Sequence, residues 1–148
     1  MSVSSIDRAT AAAAIPWMEK IHEYYAFSPD AANNLGFYYR DTGQAEKSLE
    51  WYLKACERAP NSQDILNDTG LIYLFNLRGQ GKKSLPYFEK VLALVMEEGQ
   101  APQRGFWDAL ENLCVYYSSV ENDPRKVIEY GTMRNNLYNG VPPYAKSG

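Results

Sequence analysis

The sequence lacks a long apolar run: no stretch of its 148 residues approaches the roughly 18 apolar residues that a membrane-spanning helix requires. Its first residues also lack the basic region and apolar core of a signal peptide, because Asp7 and Arg8 precede a short alanine run that Pro16 interrupts. We therefore expect a cytoplasmic protein without membrane contact.

The residue types that most often perform catalysis or bind metals are scarce. The sequence has one histidine, His22, and two cysteines, Cys56 and Cys114. His22 has no serine or cysteine at a helical spacing that would pair a nucleophile with a base, and both cysteines fall in predicted helix interiors. Glycine-rich phosphate loops, Cys/His zinc patterns and dinucleotide fingerprints are missing. We therefore expect no enzymatic activity, no cofactor and no metal ion.

An excess of positive charge is missing as well. The 15 lysines and arginines are outnumbered by 18 acidic residues, which gives a formal net charge of −3. Such a chain has no general attraction for phosphate backbones, so we expect no nucleic-acid partner. Apolar residues nevertheless make up 45% of the chain and aromatic residues 14%, which is enough for one folded domain with a substantial core.

One helical pattern occurs four times along the chain. The copies begin at Ala14, Ser48, Ser84 and Val127, and each places a small or β-branched residue and an aliphatic residue ahead of an aromatic residue. This spacing is typical of an amphipathic helix. The small residues of the first three copies predict that neighbouring helix backbones approach closely there.

A second pattern precedes the last three of these helices. It reads Leu35-Gly36-x-x-Tyr39, Thr69-Gly70-x-x-Tyr73 and Leu113-Cys114-x-x-Tyr117. The predicted helices that contain it span Asp30–Arg40, Gln63–Phe75 and Phe106–Ser118. The third copy matches least well, because Cys114 replaces the glycine and Gly131 stands where the other units have a large side chain.

The pattern is most complete in residues 29–62. Leu35, Gly36, Tyr39, Gly43, Ser48, Tyr52, Ala55 and Pro60 stand there at fixed spacings. This segment resembles a tetratricopeptide repeat, the helix-turn-helix unit of about 34 residues, and the resemblance extends over residues 10–138.

The resemblance implies an all-α fold, a right-handed superhelical solenoid of antiparallel helix pairs. It implies a lone N-terminal helix in residues 1–28, repeats at 29–62, 63–106 and 107–138, and an extended tail at 139–148, all in one domain. The second repeat exceeds the usual length, and we attribute its extra residues to a lengthened second helix and the loop after it.

The resemblance also implies a noncatalytic adaptor or chaperone-like module that binds a peptide or helix in a concave groove. The groove would be lined by acidic, amide and apolar side chains of the first helix of each repeat. These are Asn33, Asn34, Phe37, Arg40, Asp64, Asn67, Asp68, Leu71, Leu74, Asp108, Glu111, Asn112 and Val115.

The charge of this set predicts the kind of partner. Relatives that bind the acidic C-termini of heat-shock chaperones use lysine, asparagine and arginine at such positions. Here several of the matching positions hold aspartate or glutamate, which would repel a carboxylate ligand. We therefore expect a basic or amphipathic protein or peptide partner.

A self-associating scaffold is the alternative function. Solenoids of this kind usually end in an extra polar-faced helix, and the sequence offers none after Asn136. The final helix would then be covered by a further part of a longer natural chain, by Leu137, Tyr138, Val141 and Tyr144, or by a second copy of the protein. In the last case a homo-oligomer would form through the C-terminal helix and tail.

Overall fold

The computed structural model describes the backbone of residues 5–141 and the side chains of residues 8–141. Within residues 5–141 the chain forms seven α-helices and no strand, so the expected all-α class is confirmed. The helices are α1 (Ser5–Tyr24), α2 (Pro29–Asp41), α3 (Ala45–Arg58), α4 (Gln63–Leu71), α5 (Leu85–Met96), α6 (Arg104–Ser119) and α7 (Pro124–Tyr138). Most of the predicted tail, including Tyr144, lies outside the described residues.

Side-chain caps begin several of the helices. Ser28 and Ser62 each accept a hydrogen bond at 3.3 Å from a main-chain N–H in the first turn of α2 and α4. Asp123 does the same for α7, at 3.1 and 3.3 Å. Such caps satisfy N–H groups that have no partner inside the helix, so these three starts are determined locally.

Neighbouring helices pack on one another in chain order. α1 packs on α2, α2 on α3, α3 on α4, α4 on both α5 and α6, and α6 on α7. The largest apolar core lies among α4, α5 and α6, where Phe88, Phe106, Leu110 and Leu113 are fully buried. None of the helices among the described residues is long and apolar enough to cross a membrane.

Two helix pairs share the same close contact. A Cβ atom added to Gly36 on α2 would lie 2.6 Å from the ring of Tyr52 on α3, and one added to Gly70 on α4 would lie 2.6 Å from the ring of Phe88 on α5. Ser48 strengthens the first contact, because its Oγ donates a hydrogen bond to the carbonyl of Gly36 at 2.6 Å. The close approach of helix backbones that the small residues Ser48 and Ser84 predict is therefore present, with Gly36 and Gly70 at the points of contact.

The third pair, α6 and α7, exchanges the small and the large residue. Cys114 on α6 occupies the position equivalent to Gly36 and Gly70, and Gly131 on α7 occupies the position of the aromatic ring. A Cβ on Gly131 would lie 4.0 Å from the Cys114 Sγ, which is ordinary contact. The two departures from the pattern therefore face each other.

The second unit departs from its prediction at three places. α4 ends at Leu71 and continues as a wide π-helical turn, Ile72–Asn76, where a regular helix to Phe75 was predicted. α5 ends at Met96, two residues past the position equivalent to the end of α3, so the extra residues lie mainly in the connection 97–103. α6 begins at Arg104, so the predicted boundary between residues 106 and 107 lies inside a helix.

Candidate functional site

A groove of about 400 Å³ lies among α2, α4 and the first turn of α6. We call it the α2–α4 groove. Its lining consists of Asn33, Asn34, Phe37, Tyr38, Arg40, Asp68, Leu71 and Arg104. Six of these residues belong to the predicted groove set, whereas Tyr38 and Arg104 do not.

The α2 side of the groove combines aromatic surface with a cation. Phe37 is 43% exposed, and its ring meets Tyr38 edge-on at a centroid distance of 5.7 Å. The guanidinium of Arg40 lies 5.1 Å from the centre of the Phe37 ring, within the range of a cation–π interaction. This side can therefore pack against an apolar side chain of a ligand.

Asp68 is the acidic group of the groove, and it is largely buried. Its carboxylate accepts a hydrogen bond from Asn33 Nδ2 at 3.4 Å and lies 3.7 Å from Arg104 Nη2. Burial raises the pKa of the Asp68 carboxyl above its ordinary value, although Arg104 and Arg40 act to lower it. The carboxylate is therefore partnered inside the protein and poorly solvated.

Arg104 is the charged groove residue that sequence reasoning missed, as it also missed Tyr38. The sequence predicted a helix that begins at Phe106, which left Arg104 in the preceding loop. In the structure this helix, α6, begins at Arg104. From this first turn Arg104 pairs with Asp108 at 3.1 Å and reaches Asp68 across the groove. The i, i+4 spacing of Arg104 and Asp108 is the signal that could have extended the predicted helix.

Asp64 is engaged with the main chain of α6. Its Oδ1 accepts a hydrogen bond from the N–H of Gly105 at 2.6 Å. Gly105 packs directly on the α4 backbone, since a Cβ there would lie 2.7 Å from the Asp64 Cα. Beside it, the fully buried Gln63 accepts a hydrogen bond from the Gln103 N–H at 2.9 Å. These contacts position α6 against α4, a structural role that the sequence did not indicate.

Asn67 and Asn112 do not face a ligand. Both side chains are buried between α4 and α6, and Asn112 Nδ2 donates a hydrogen bond to Asn67 Oδ1 at 2.9 Å. The expectation that these two amides line an open groove is therefore corrected. Their hydrogen bond joins α4 to α6 instead, because a buried amide needs a polar partner.

The remaining predicted residues lie in the π-helical turn after α4 and further along α6. Leu74 lines a second cavity, of about 540 Å³, with Phe75 and Val120. Val115 is 37% exposed. Glu111 pairs with Arg134 of α7 at 2.7 Å.

The four acidic residues of the predicted set all have partners within the protein. Asp64 accepts a main-chain N–H, Asp68 and Asp108 pair with Arg104, and Glu111 pairs with Arg134. The carboxylates of the expected acidic, amide-lined and apolar groove are therefore engaged by a main-chain N–H or by an arginine rather than left free for a ligand. Among the described side chains, no three histidine, cysteine, aspartate or glutamate residues come together in a way that could hold a metal ion.

Comparison with known proteins adds no family to this description. No family model matches the chain, and no curated protein shows significant similarity to it.

Proposed function

We propose that this chain is a noncatalytic interaction module of the tetratricopeptide-repeat type, which binds an amphipathic peptide or helix of another protein in the α2–α4 groove. The observation that supports this most is the convergence of predicted groove residues on one cavity. Asn33, Asn34, Phe37 and Arg40 of α2 line it together with Asp68 and Leu71 of α4.

The repeat interpretation is supported by the equivalent contacts of the helix pairs. Gly36 beneath Tyr52 and Gly70 beneath Phe88 are the same small–large contact at the same register, and the third pair has the contact reversed. A chain of such pairs, each packed on the next, is consistent with a right-handed superhelical solenoid. We also propose a cytoplasmic location, which rests on the sequence observations that the first residues lack a signal-peptide pattern and that the chain has no long apolar run.

The nature of the partner follows from which groups remain exposed. Phe37 and Phe75 expose aromatic surface on α2 and in the turn after α4, and Asn34 exposes an amide beside the first of them. The carboxylates, in contrast, are already paired, so a purely basic ligand would have to replace existing ion pairs. An amphipathic segment can bury apolar side chains on Phe37 and Leu71 and offer its main chain to Asn34.

A displayed peptide library selected on the immobilised protein tests the proposal. The affinity of recovered peptides is measured for the wild type, for Phe37→Ala, and for Leu53→Ala as a matched control, because Leu53 on α3 is 38% exposed, close to the 43% of Phe37. We expect Phe37→Ala to weaken binding by about tenfold or more and Leu53→Ala to leave it unchanged. A library without binders, or peptides that ignore Phe37→Ala, would reject the groove as the binding site.

Self-association through the C-terminal end is the second candidate. Tyr130, Met133 and Leu137 of α7 pack half-buried against the core, while Ile128 and Tyr138 are 68% and 78% exposed. Much of the remaining outward surface of α7 is polar, including Arg125, Glu129 and Asn135, all of them exposed. Ile128 and Tyr138 are the large apolar side chains that α7 exposes, and peptide binding is the function that we favour.

A further inference from the structure

Helix α1 has apolar residues on two opposite faces. The inner face, with Ala11 and Ile15, is buried, and Ile15 packs with Leu35 and Tyr39 of α2. The outward face presents Trp17 at 71% and Tyr24 at 84% exposure. Large apolar side chains that are exposed together mark interaction surfaces in folded proteins, so the outward face of α1 is a candidate for contact with another molecule.

The outward face is held in a fixed position by contacts of the inner face. Glu19 accepts a hydrogen bond from the Tyr39 hydroxyl at 2.5 Å. Three residues further along, His22 Nε2 lies 2.8 Å from Arg58 Nη1, and the His22 ring meets Trp51 edge-on at 4.7 Å. The exposed side chains therefore belong to a helix anchored to α2 and α3.

The outward face is divided into a small half and a bulky half. Residues 9, 13, 17, 20, 21 and 24 lie on one side of the helix at a period of 3.6 residues, and Lys20 is the charged residue among them. In the first half the face has the exposed Ala9 and Ala13, and in the second half it has Trp17, Ile21 and Tyr24. Two such helices in antiparallel orientation place the small half of each against the bulky half of the other.

We propose that a second copy of this chain covers this face, through an antiparallel α1–α1 contact about a two-fold axis. With the axis between positions 13 and 17, Ala13 of each copy faces Trp17 of the second copy, and Ala9 faces Ile21. A contact about a two-fold axis must be self-complementary, and the small–large division meets that requirement.

The available area suits an interface between two proteins. Trp17, Tyr24, Tyr25 and Phe27 are each at least 65% exposed. An aromatic side chain buries about 150–250 Å², so these four residues can bury on the order of 500 Å² per copy. Two copies would bury about 1,000 Å² in total, the lower limit for a specific interface, with Tyr25 and Phe27 of the turn after α1 packing beside the two helices.

The charges near the face favour a protein over a membrane surface. A helix that lies on a membrane is typically rich in lysine and arginine on its polar side. Arg8 and Lys20 are balanced here by Glu19 and Glu23, and the whole chain carries a formal net charge of −3. Anionic lipid would therefore gain no electrostatic attraction.

Sedimentation of the full chain over a wide concentration range tests the proposal. We expect a monomer–dimer equilibrium that Trp17→Ala and Ala13→Trp each weaken by about tenfold or more, because each removes the fit of large against small. The double variant A13W/W17A exchanges the two residues and restores the fit, so we expect it to dimerise better than either single variant. Ile128→Glu on α7 is the matched control, since Ile128 is 68% exposed at the other end of the chain. Circular dichroism checks that all variants are folded.

Three outcomes would overturn the proposal. The first is a wild-type protein that stays monomeric at every concentration. The second is a dimer that Ile128→Glu abolishes and the α1 variants leave intact, which would place the contact at the C-terminal end. The third is a monomer that binds vesicles of phosphatidylcholine and phosphatidylserine and loses this binding on Trp17→Ala, which would make the face a lipid-binding surface.

Discussion

The contact between Gly36 and Tyr52 allows a quantitative test of the helix packing by substitution with alanine. A Cβ at Gly36 would lie 2.6, 2.7 and 2.9 Å from three carbons of the Tyr52 ring. Tyr52 is fully buried, so its ring cannot move without displacing other core residues. Gly131 is the matched control, because it also lies inside a helix and a Cβ there would meet the Cys114 Sγ at 4.0 Å.

The size of the effect follows from two opposing terms. Replacing glycine by alanine in a helix adds about 1 kcal/mol of stability through helix propensity. Overpacking a core costs about 1–3 kcal/mol. Gly131→Ala has only the first term, so we expect it to stabilise the protein by up to about 1 kcal/mol. Gly36→Ala has both terms, and its free energy of unfolding should lie about 1–3 kcal/mol below that of Gly131→Ala.

Thermal and urea unfolding, followed by circular dichroism, measure this difference. For a domain of this size 1 kcal/mol shifts Tm by about 2–4 °C, so Gly36→Ala should melt several degrees below Gly131→Ala. Gly70→Ala should behave like Gly36→Ala, because its Cβ would lie 2.6 Å from Phe88. If Gly36→Ala melts at or above Gly131→Ala, the close helix contact and the repeat register built on it are incorrect.

Two further predictions concern pH and a buried hydroxyl. Burial, and then the charges of Arg58 and Lys54, lower the pKa of His22 below its ordinary 6.5, while Glu23 acts to raise it. The unfolded chain therefore binds the proton more readily, so the contribution of His22 to stability is complete above pH 6.5 and is lost as the pH falls through the lowered pKa. We therefore expect the wild type to lose stability relative to His22→Gln as the pH is lowered from 7.5 to 5, which the free energies of unfolding of the two proteins measure. A stability difference that does not change with pH would contradict the contact of His22 with Arg58. The buried Tyr52 hydroxyl has no hydrogen-bond partner among the described residues, so Tyr52→Phe should raise the free energy of unfolding by about 1 kcal/mol. The control Tyr116→Phe loses a hydrogen bond of 2.8 Å to Glu121 and should lower it by about as much, and equal effects of the two changes would refute this reasoning.

The sequence by itself determined the elements whose causes are local. Helix periodicity, the Ser28 and Ser62 caps and the prolines at helix starts depend on residues within one or two turns. The three helices whose bounds were predicted therefore begin within two residues of the observed starts of α2, α4 and α6. The close approach of the first two helix pairs was also predicted, from the small residues Ser48 and Ser84 that recur at one register. The contacts of Gly36 with Tyr52 and of Gly70 with Phe88 came from the structure.

Only the tertiary structure decided which polar groups remain free. The close packing of α6 on α4 decides the roles of two polar side chains of α4. Because of it, Asn67 accepts a hydrogen bond from Asn112 instead of facing a ligand, and Asp64 accepts the N–H of Gly105 instead of attracting a cation. The contacting residues of the two helices are about forty positions apart in the chain. The spacing between α4 and α6 is set by the packing of Gly105 on the α4 backbone, and helix periodicity carries no information about such a long-range contact. For the same reason the sequence did not predict that Arg104 lines the groove. The exposed face of α1 could likewise be identified only from the structure, which shows that the opposite face packs on α2.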